Sequence, residues 1–222
     1  MNTYPAFETY NQLYAKYMNN RPVGYLLGLA GDIKGKSVLD LCGGGGGLSI
    51  AAINRGASKV CMIERCEDML SKFIHESPIK LILDNVQTGL AKMGREKITF
   101  DLVFCRQAVN YWLNEKQAIA VAQVVKPGGM FIFNTFNSKP SENITTSSYE
   151  YDGHKFTEIS WLVEEPKYDV VHHVQVRKGL PPHVTRFRWI PPQEFDEILS
   201  PHFKVECTTE GKTDIYRCVK EG

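Results

Sequence analysis

Asp40 ends the apolar run Val38-Leu39-Asp40-Leu41 and is followed, after Cys42, by five consecutive glycines, Gly43 to Gly47. Glycine has no Cβ, so such a run can turn sharply and bring backbone within contact distance of a ligand. Between a buried strand and a helical segment, Leu48 to Arg55, it reads as a loop for a nucleotide cofactor. A second carboxylate, Glu64, closes the apolar run Lys59-Val60-Cys61-Met62-Ile63 eighteen residues after Gly46. Nucleotide-binding α/β folds place near that distance an acid that accepts hydrogen bonds from the two ribose hydroxyls.

Spacing separates the cofactors such a loop could hold. A dinucleotide fingerprint needs glycines at relative positions one, three and six. Frames beginning at Gly43, Gly44 and Gly45 put Leu48, Ser49 and Ile50 in the sixth position, and the frame that ends on Gly47 begins on Cys42. NAD is disfavoured. A phosphate loop needs Lys then Ser or Thr after its glycines, and none follows Gly47. Gly31 to Ser37 has one residue too few between its glycines and precedes the strand, so it reads as a turn.

The pattern resembles motif I of the class I S-adenosylmethionine (SAM) dependent methyltransferases, an acidic residue, any residue, then Gly-x-Gly-x-Gly. The matching positions are Asp40, Cys42, Gly44 and Gly46. Cys42 stands where that family usually has its first glycine, and it tolerates the required backbone less well. Further segments match in order. Leu81-Ile82-Leu83-Asp84-Asn85 resembles the third strand, whose acidic residue commonly contacts the adenine amino group, which makes Asp84 and Asn85 cofactor candidates. Phe100-Asp101-Leu102-Val103-Phe104 resembles the fourth, where the acid, Asp101, is usually structural. Lys126-Pro127-Gly128-Gly129 resembles the turn into the fifth strand. The likeness spans roughly residues 37–137. It implies SAM as cofactor and S-adenosylhomocysteine as product. It also implies that Arg106, Asn110 and Tyr111, after the fourth strand, approach the methionine end of the cofactor and the acceptor.

These residues need a scaffold, and 222 residues suffice for a single large core. Residues 37–137 alternate strand and helix, which predicts a parallel sheet covered on both faces. The resemblance extends this to an α/β, Rossmann-like seven-stranded sheet with an antiparallel final strand. Residues 1–36 carry Tyr10, Leu13, Tyr14 and Tyr17 at helical spacing. From that segment Tyr17 and Arg21 are cofactor candidates, since a guanidinium fork suits the methionine carboxylate. Lys139 to Ser148 is polar and reads as a loop. Three β-rich runs follow, 149–161, 169–177 and 183–190, so residues 138–190 are expected to form a small antiparallel insertion acting as a lid. Residues 191–222 read as a helix begun by Pro191-Pro192 and a hairpin around Glu210-Gly211-Lys212.

Methyl transfer to a hydroxyl benefits from a general base, whereas a neutral amine needs little proton abstraction. His154, His172, His173 and His183 fall in the insertion. Strand alternation puts His173 with Val171, Gln175 and Arg177 on the more polar face, which makes it the candidate base. Tyr111 is the second catalytic candidate. Ordinary surface or half-buried strand histidines remain the alternative.

Charge is balanced at +1, which gives no global case for nucleic acid or an anionic membrane. The Asn/Asp-Pro-Pro-aromatic motif of amino-methylating DNA enzymes has no counterpart at Cys105-Arg106-Gln107, and there is no Pro-Cys pair of the cytosine C5 enzymes. Six cysteines show no metal-ligand spacing. Cys207 and Cys218 fall on one terminal hairpin, without a disulfide being expected. No signal peptide or membrane span is read, so a cytoplasmic enzyme is expected. The expected function is SAM-dependent methylation of an amine or hydroxyl on a small metabolite, with no metal. A tRNA or protein methyltransferase, or a non-catalytic SAM- or nucleotide-binding module, is the alternative.

Overall fold

The computed structural model describes residues 23–70, 72–75, 77–151, 153–179 and 182–222. The first helix among the described residues, α1 (Gly24–Leu29), leads into β1 (Ser37–Leu41), the glycine loop and α2 (Gly47–Asn54). Then come β2 (Lys59–Glu64), α3 (Lys72–His75), β3 (Lys80–Leu83), α4 (Val86–Arg95) and β4 (Phe100–Arg106). A short 3-10 turn, Val109–Tyr111, precedes α5 (Glu115–Val124) and β5 (Val125–Phe136). Four strands follow, β6 (Thr145–Tyr151), β7 (His154–Glu164), β8 (Asp169–Arg177) and β9 (His183–Arg188). The chain closes with α6 (Pro192–Leu199), β10 (Lys204–Glu210) and β11 (Thr213–Val219).

The main sheet runs β10-β11-β5-β4-β1-β2-β3. Strands β1 to β5 are mutually parallel, and β11 is antiparallel to β5. Its buried strands alternate between two cores. Leu39, Leu41, Cys61, Ile63, Val103 and Cys105 face one side, under Leu90, Val121 and Phe195 of α4, α5 and α6. Val38, Val60, Met62, Leu102 and Phe104 face the other, under Leu26 and Leu27 of α1 and Leu48 and Ala52 of α2. Burying each such side chain contributes about 1.5–3 kcal/mol, and a strand buried on both faces must be apolar throughout. The sheet therefore has the expected architecture.

Asp101 lies at the opposite end of the sheet from the glycine loop. It accepts the Ser37 amide and hydroxyl at 2.7 and 2.5 Å and pairs with Lys126 at 2.9 Å. It thereby fastens the starts of β1, β4 and β5. Gly129 lets that junction close, because a Cβ there would stand 2.7 Å from the Asp101 carbonyl oxygen.

The insertion is a separate antiparallel sheet, β6-β7-β8-β9. It has four strands where the sequence suggests three runs. The run 149–161 is a hairpin folded near Gly153, and part of the polar stretch before it, Thr145 to Ser148, pairs with Ser160 to Thr157. Thr145 and Ser148 side chains bond across to Ser160 and Thr157, which gives polar residues a reason to be strand. In the terminal hairpin Cys207 lies opposite Tyr216 and Cys218 opposite Val205, and all six thiols are free. Among the described residues no helix is long and apolar enough to cross a membrane.

Candidate functional site

The carboxyl ends of β1, β2, β3 and β4 open onto one cavity of about 270 Å³. This is the side on which open α/β sheets bind ligands, next to the point where strand order reverses between β1 and β4. Its floor is the glycine loop. Cys42 adopts φ 55°, a left-handed conformation that costs an L-residue with a Cβ about 1–2 kcal/mol. At Gly46, φ is 82° and a Cβ would come within 2.0 Å of Ile74.

Asp40 holds this loop to the helix that follows. Its Oδ2 accepts the Ser49 hydroxyl at 2.7 Å, and the residue is 1% exposed. Burial is the main cause that raises its carboxyl to about 6, opposed by the Ser49 bond and by Arg106. Glu64 reaches across from β2. Its Oε2 accepts the Gly44 amide at 2.9 Å, and its Oε1 accepts the amides of Arg65 and Cys66 at 2.8 and 2.9 Å. A carboxylate has about four lone-pair sites, so about one is left for a ligand. Asp84 and Asn85 follow β3. Asp84 Oδ1 accepts the Asn85 amide at 2.7 Å, and the Asn85 side chain caps α4 through the Thr88 amide at 2.8 Å. The Cys42 thiol lies against Cys105, and that contact, together with burial, holds it well above the ordinary thiol range.

The other wall comes from the segment after β4 and from the insertion. Gln107 takes φ 56°, and its amide donates to Asn134 Oδ1 at 3.1 Å. Asn110 accepts the Thr135 hydroxyl at 2.6 Å and donates to the Arg188 carbonyl at 3.1 Å, tying β5 and β9 to the 3-10 turn. The Tyr111 ring packs on Phe187 of β9 at 5.4 Å. Burial raises the Tyr111 phenol above its ordinary value, and the Thr185 hydroxyl offsets part of that. Trp112 also lines the cavity, and its buried indole N–H has no hydrogen-bond partner among the described residues.

Of the candidates read from sequence, Asp40, Cys42, Gly44, Glu64, Asp84, Asn85, Arg106 and Tyr111 all line this cavity. Gly46 stands behind it as the N-cap of α2. Tyr17 and Arg21 lie outside the described residues. His173 is on the expected face of β8 but does not line the cavity; its Nε2 is 3.8 Å from Glu158. The insertion histidine that lines the wall is His183, beside Thr185, both on edge strand β9. Alternation identifies the face of each strand, but only the docking of β9 against Val109–Tyr111 selects which strand meets the cavity. Arg65 and Trp112 were also passed over. Among the described residues no group of three or more His, Cys, Asp or Glu is placed to hold a metal ion.

Residues 39–133 match a family model described as a methyltransferase domain. Among curated proteins, the ubiquinone biosynthesis O-methyltransferase of Cronobacter sakazakii is 30% identical over 122 residues, covering 54% of this chain and 50% of that one. The protein of that name from Shewanella halifaxensis is also 30% identical, covering 54% and 52%. The chain thus spans about half the length of the curated relatives it matches. Among solved structures, the CcbJ methyltransferase of Streptomyces caelestis superposes with a TM-score of 0.72 at 18% identity, covering 96% of this chain and 98% of that one. SAM-bound CalS10, an amino pentose methyltransferase from Micromonospora echinaspora, gives 0.65 at 15% identity, covering 99% of both. At these identities the structural likeness concerns the fold.

Proposed function

On the premise that this chain belongs to the class I SAM-dependent methyltransferases, we propose that it transfers a methyl group to an amine or hydroxyl of a small metabolite or biosynthetic intermediate. The observation that carries this reading is the convergence of the motif I loop, Glu64, Asp84 and Arg106 on one cavity that is also walled by His183 and Thr185 of the insertion. The residues fit the cofactor: Glu64 keeps about one acceptor site for a ribose hydroxyl, Asp84 suits an amino group, and the Trp112 N–H is a donor without a partner among the described residues. Arg106, with Tyr17 and Arg21, would serve the methionine end.

When bound, the cofactor supplies a methyl group on a sulfonium, an electrophile that needs no further activation. The chain's share is positional, and holding two reactants in line supplies much of the acceleration. Asp40 and Ser49 fix the loop, while Cys42 and Gly44 shape the floor. Tyr111, Thr185 and the residues 138–190, acting as a lid, would hold the acceptor and exclude water. The curated relatives are named O-methyltransferases and the solved structure KedS8 a sugar N-methyltransferase, so both reacting atoms are represented among similar proteins. Free thiols throughout suit a reducing compartment, the cytoplasm.

Calorimetric titration with S-adenosylhomocysteine, with NAD as control, tests the reading. Saturable binding of the former alone supports it and justifies an acceptor screen with radiolabelled SAM. Binding of NAD instead would overturn it. A non-catalytic binding module would bind S-adenosylhomocysteine and give no methylated product with any acceptor.

A further inference from the structure

A second cavity, of about 260 Å³, lies at the amino ends of β2, β3 and β4, beside the last turn of α4, and shares no lining residue with the first. Strand alternation puts Lys59 and Cys61 on one face of β2, and Lys80 stands opposite Cys61 across the ladder to β3. Lys92, in the last turn of α4, borders the same opening from the helix side. Three ammonium groups thus surround a floor made of Cys61, Met93 and Phe100, all buried. The Lys59 ammonium stands 5.4 Å from the centre of the Phe100 ring. Burial pushes the Cys61 thiol up to about 11, opposed by Lys80 and Lys59, so the fields of both cations reach the floor. Five residues of β2 separate Lys59 from Glu64, about 17 Å at the rise of a strand.

We propose that this cavity is a binding site for a small phosphomonoester of a planar apolar group, with the phosphate at the lysines and the ring on the floor. The site stands apart from the methyltransferase reading and does not depend on it. Charge is the first argument. Lys126, Lys139 and Lys204 have carboxylate partners, whereas among the described residues Lys59, Lys80 and Lys92 pair with none. The carboxylate at this opening is Glu96. Three ammonium groups against one carboxylate leave a surplus of two positive charges, in a chain whose whole net charge is +1. A phosphomonoester carries a charge of about −1.5 to −2 at neutral pH, which matches the surplus. Lys92 also complements the carbonyl end of α4. Lys59 and Lys80 open strands, whose backbone has little net dipole to answer.

The floor decides the rest of the ligand. Inorganic phosphate can meet the lysines but gains nothing from Met93 and Phe100. A ring laid against them removes apolar surface from water on both sides, and a thioether and an aromatic face are both good partners for it. The volume lies below the about 300–1,000 Å³ usual for small-molecule sites, which limits the apolar body to about one ring. A neutral ring, conversely, fits the floor and leaves the three ammonium groups without a counter-charge. Only a ligand that joins the two parts uses both the rim and the floor. Cys61 contributes surface alone, since burial keeps its thiol protonated through the neutral range.

The test uses the full chain with S-adenosylhomocysteine in excess, to fill the first cavity, and follows methionine methyl resonances by NMR, Met93 being the signal missing in Met93→Leu. Phenyl phosphate is the probe, and inorganic phosphate and phenol carry its two halves. We expect phenyl phosphate to shift the Met93 signal saturably, and each half to bind about tenfold more weakly or less tightly still. Lys59→Gln and Lys80→Gln should each weaken phenyl phosphate about three- to tenfold, as for one lost polar contact, and added salt should weaken it in the parent chain. Lys116→Gln, at an exposed site on α5 that borders neither cavity, should leave its affinity unchanged. A Met93 signal that phenyl phosphate does not move, inorganic phosphate or phenol binding as tightly as phenyl phosphate, or the same loss in Lys116→Gln as in Lys59→Gln overturns the proposal. If S-adenosylhomocysteine fails to bind, the methyltransferase reading falls, and the same titration of the chain alone still decides this site.

Discussion

The Gly44 amide donates to Glu64 Oε2 at 2.9 Å, joining the glycine loop to the end of the neighbouring strand. With Oε1 held by the Arg65 and Cys66 amides, the carboxylate is fixed before any ligand arrives. In Glu64→Gln one carboxylate oxygen is replaced by an NH2 that faces backbone N–H groups. We expect S-adenosylhomocysteine affinity to fall by about tenfold to a hundredfold, that is about 1.4–3 kcal/mol, measured by calorimetry. Unchanged affinity would remove Glu64 from the cofactor site.

At Cys42 the cost is conformational. A residue with a Cβ at φ 55° loses to glycine, so Cys42→Gly should be more stable than Cys42→Ala by about 1 kcal/mol, although both give up the same thiol. For a chain of this size that is about 2–4 °C in Tm. Equal melting temperatures would show that the loop relaxes to a negative φ when the thiol is removed.

Asp40 gives a pH signature. Its carboxyl is raised to about 6 in the folded chain, with burial the main cause, against 3.8 without that environment. Between those values the folded chain holds a proton that the unfolded chain has lost. The stability from this group is thus full below pH 3.8 and declines as pH rises to 6, then stays level. Asp40→Asn can still accept the Ser49 hydroxyl and carries no charge. Urea unfolding at pH 7 should find it more stable than the parent, by up to about 3 kcal/mol, with the gap closing toward pH 4. A gap that widens on acidification would contradict the raised value.

The carboxylates were legible because each is local. Asp40, Glu64 and Asp84 lie at or just beyond the end of a short apolar strand, and the strand-to-helix crossover needs no distant partner to be recognised. The left-handed Cys42 was legible as a departure from glycine, and the structure gives its φ. What escaped depends on packing between elements far apart in sequence. Thr145 to Ser148 is strand only because β7 folds back on it. His173 was placed on the correct face, but β9 rather than β8 docks on the turn at Val109–Tyr111, and this brings His183 to the cavity. No periodicity within either strand encodes that choice.

Asn110 is where the docking is held, since its side chain takes the Thr135 hydroxyl and gives to the Arg188 carbonyl. It is 6% exposed, so truncation leaves buried groups without partners. Asn110→Ala should lower stability by about 1–3 kcal/mol, measured by urea unfolding. The deeper consequence concerns the two halves of the cavity. The glycine loop, Glu64 and Asp84 do not depend on Asn110, so S-adenosylhomocysteine affinity should hold. His183, Thr185 and Phe187 ride on β9 and should lose their register against Tyr111. With a reacting acceptor in hand, KM for it should rise while KM for SAM stays. Equal losses for both substrates would mean that the insertion and the sheet respond as one unit, and that Asn110 supports the whole cavity.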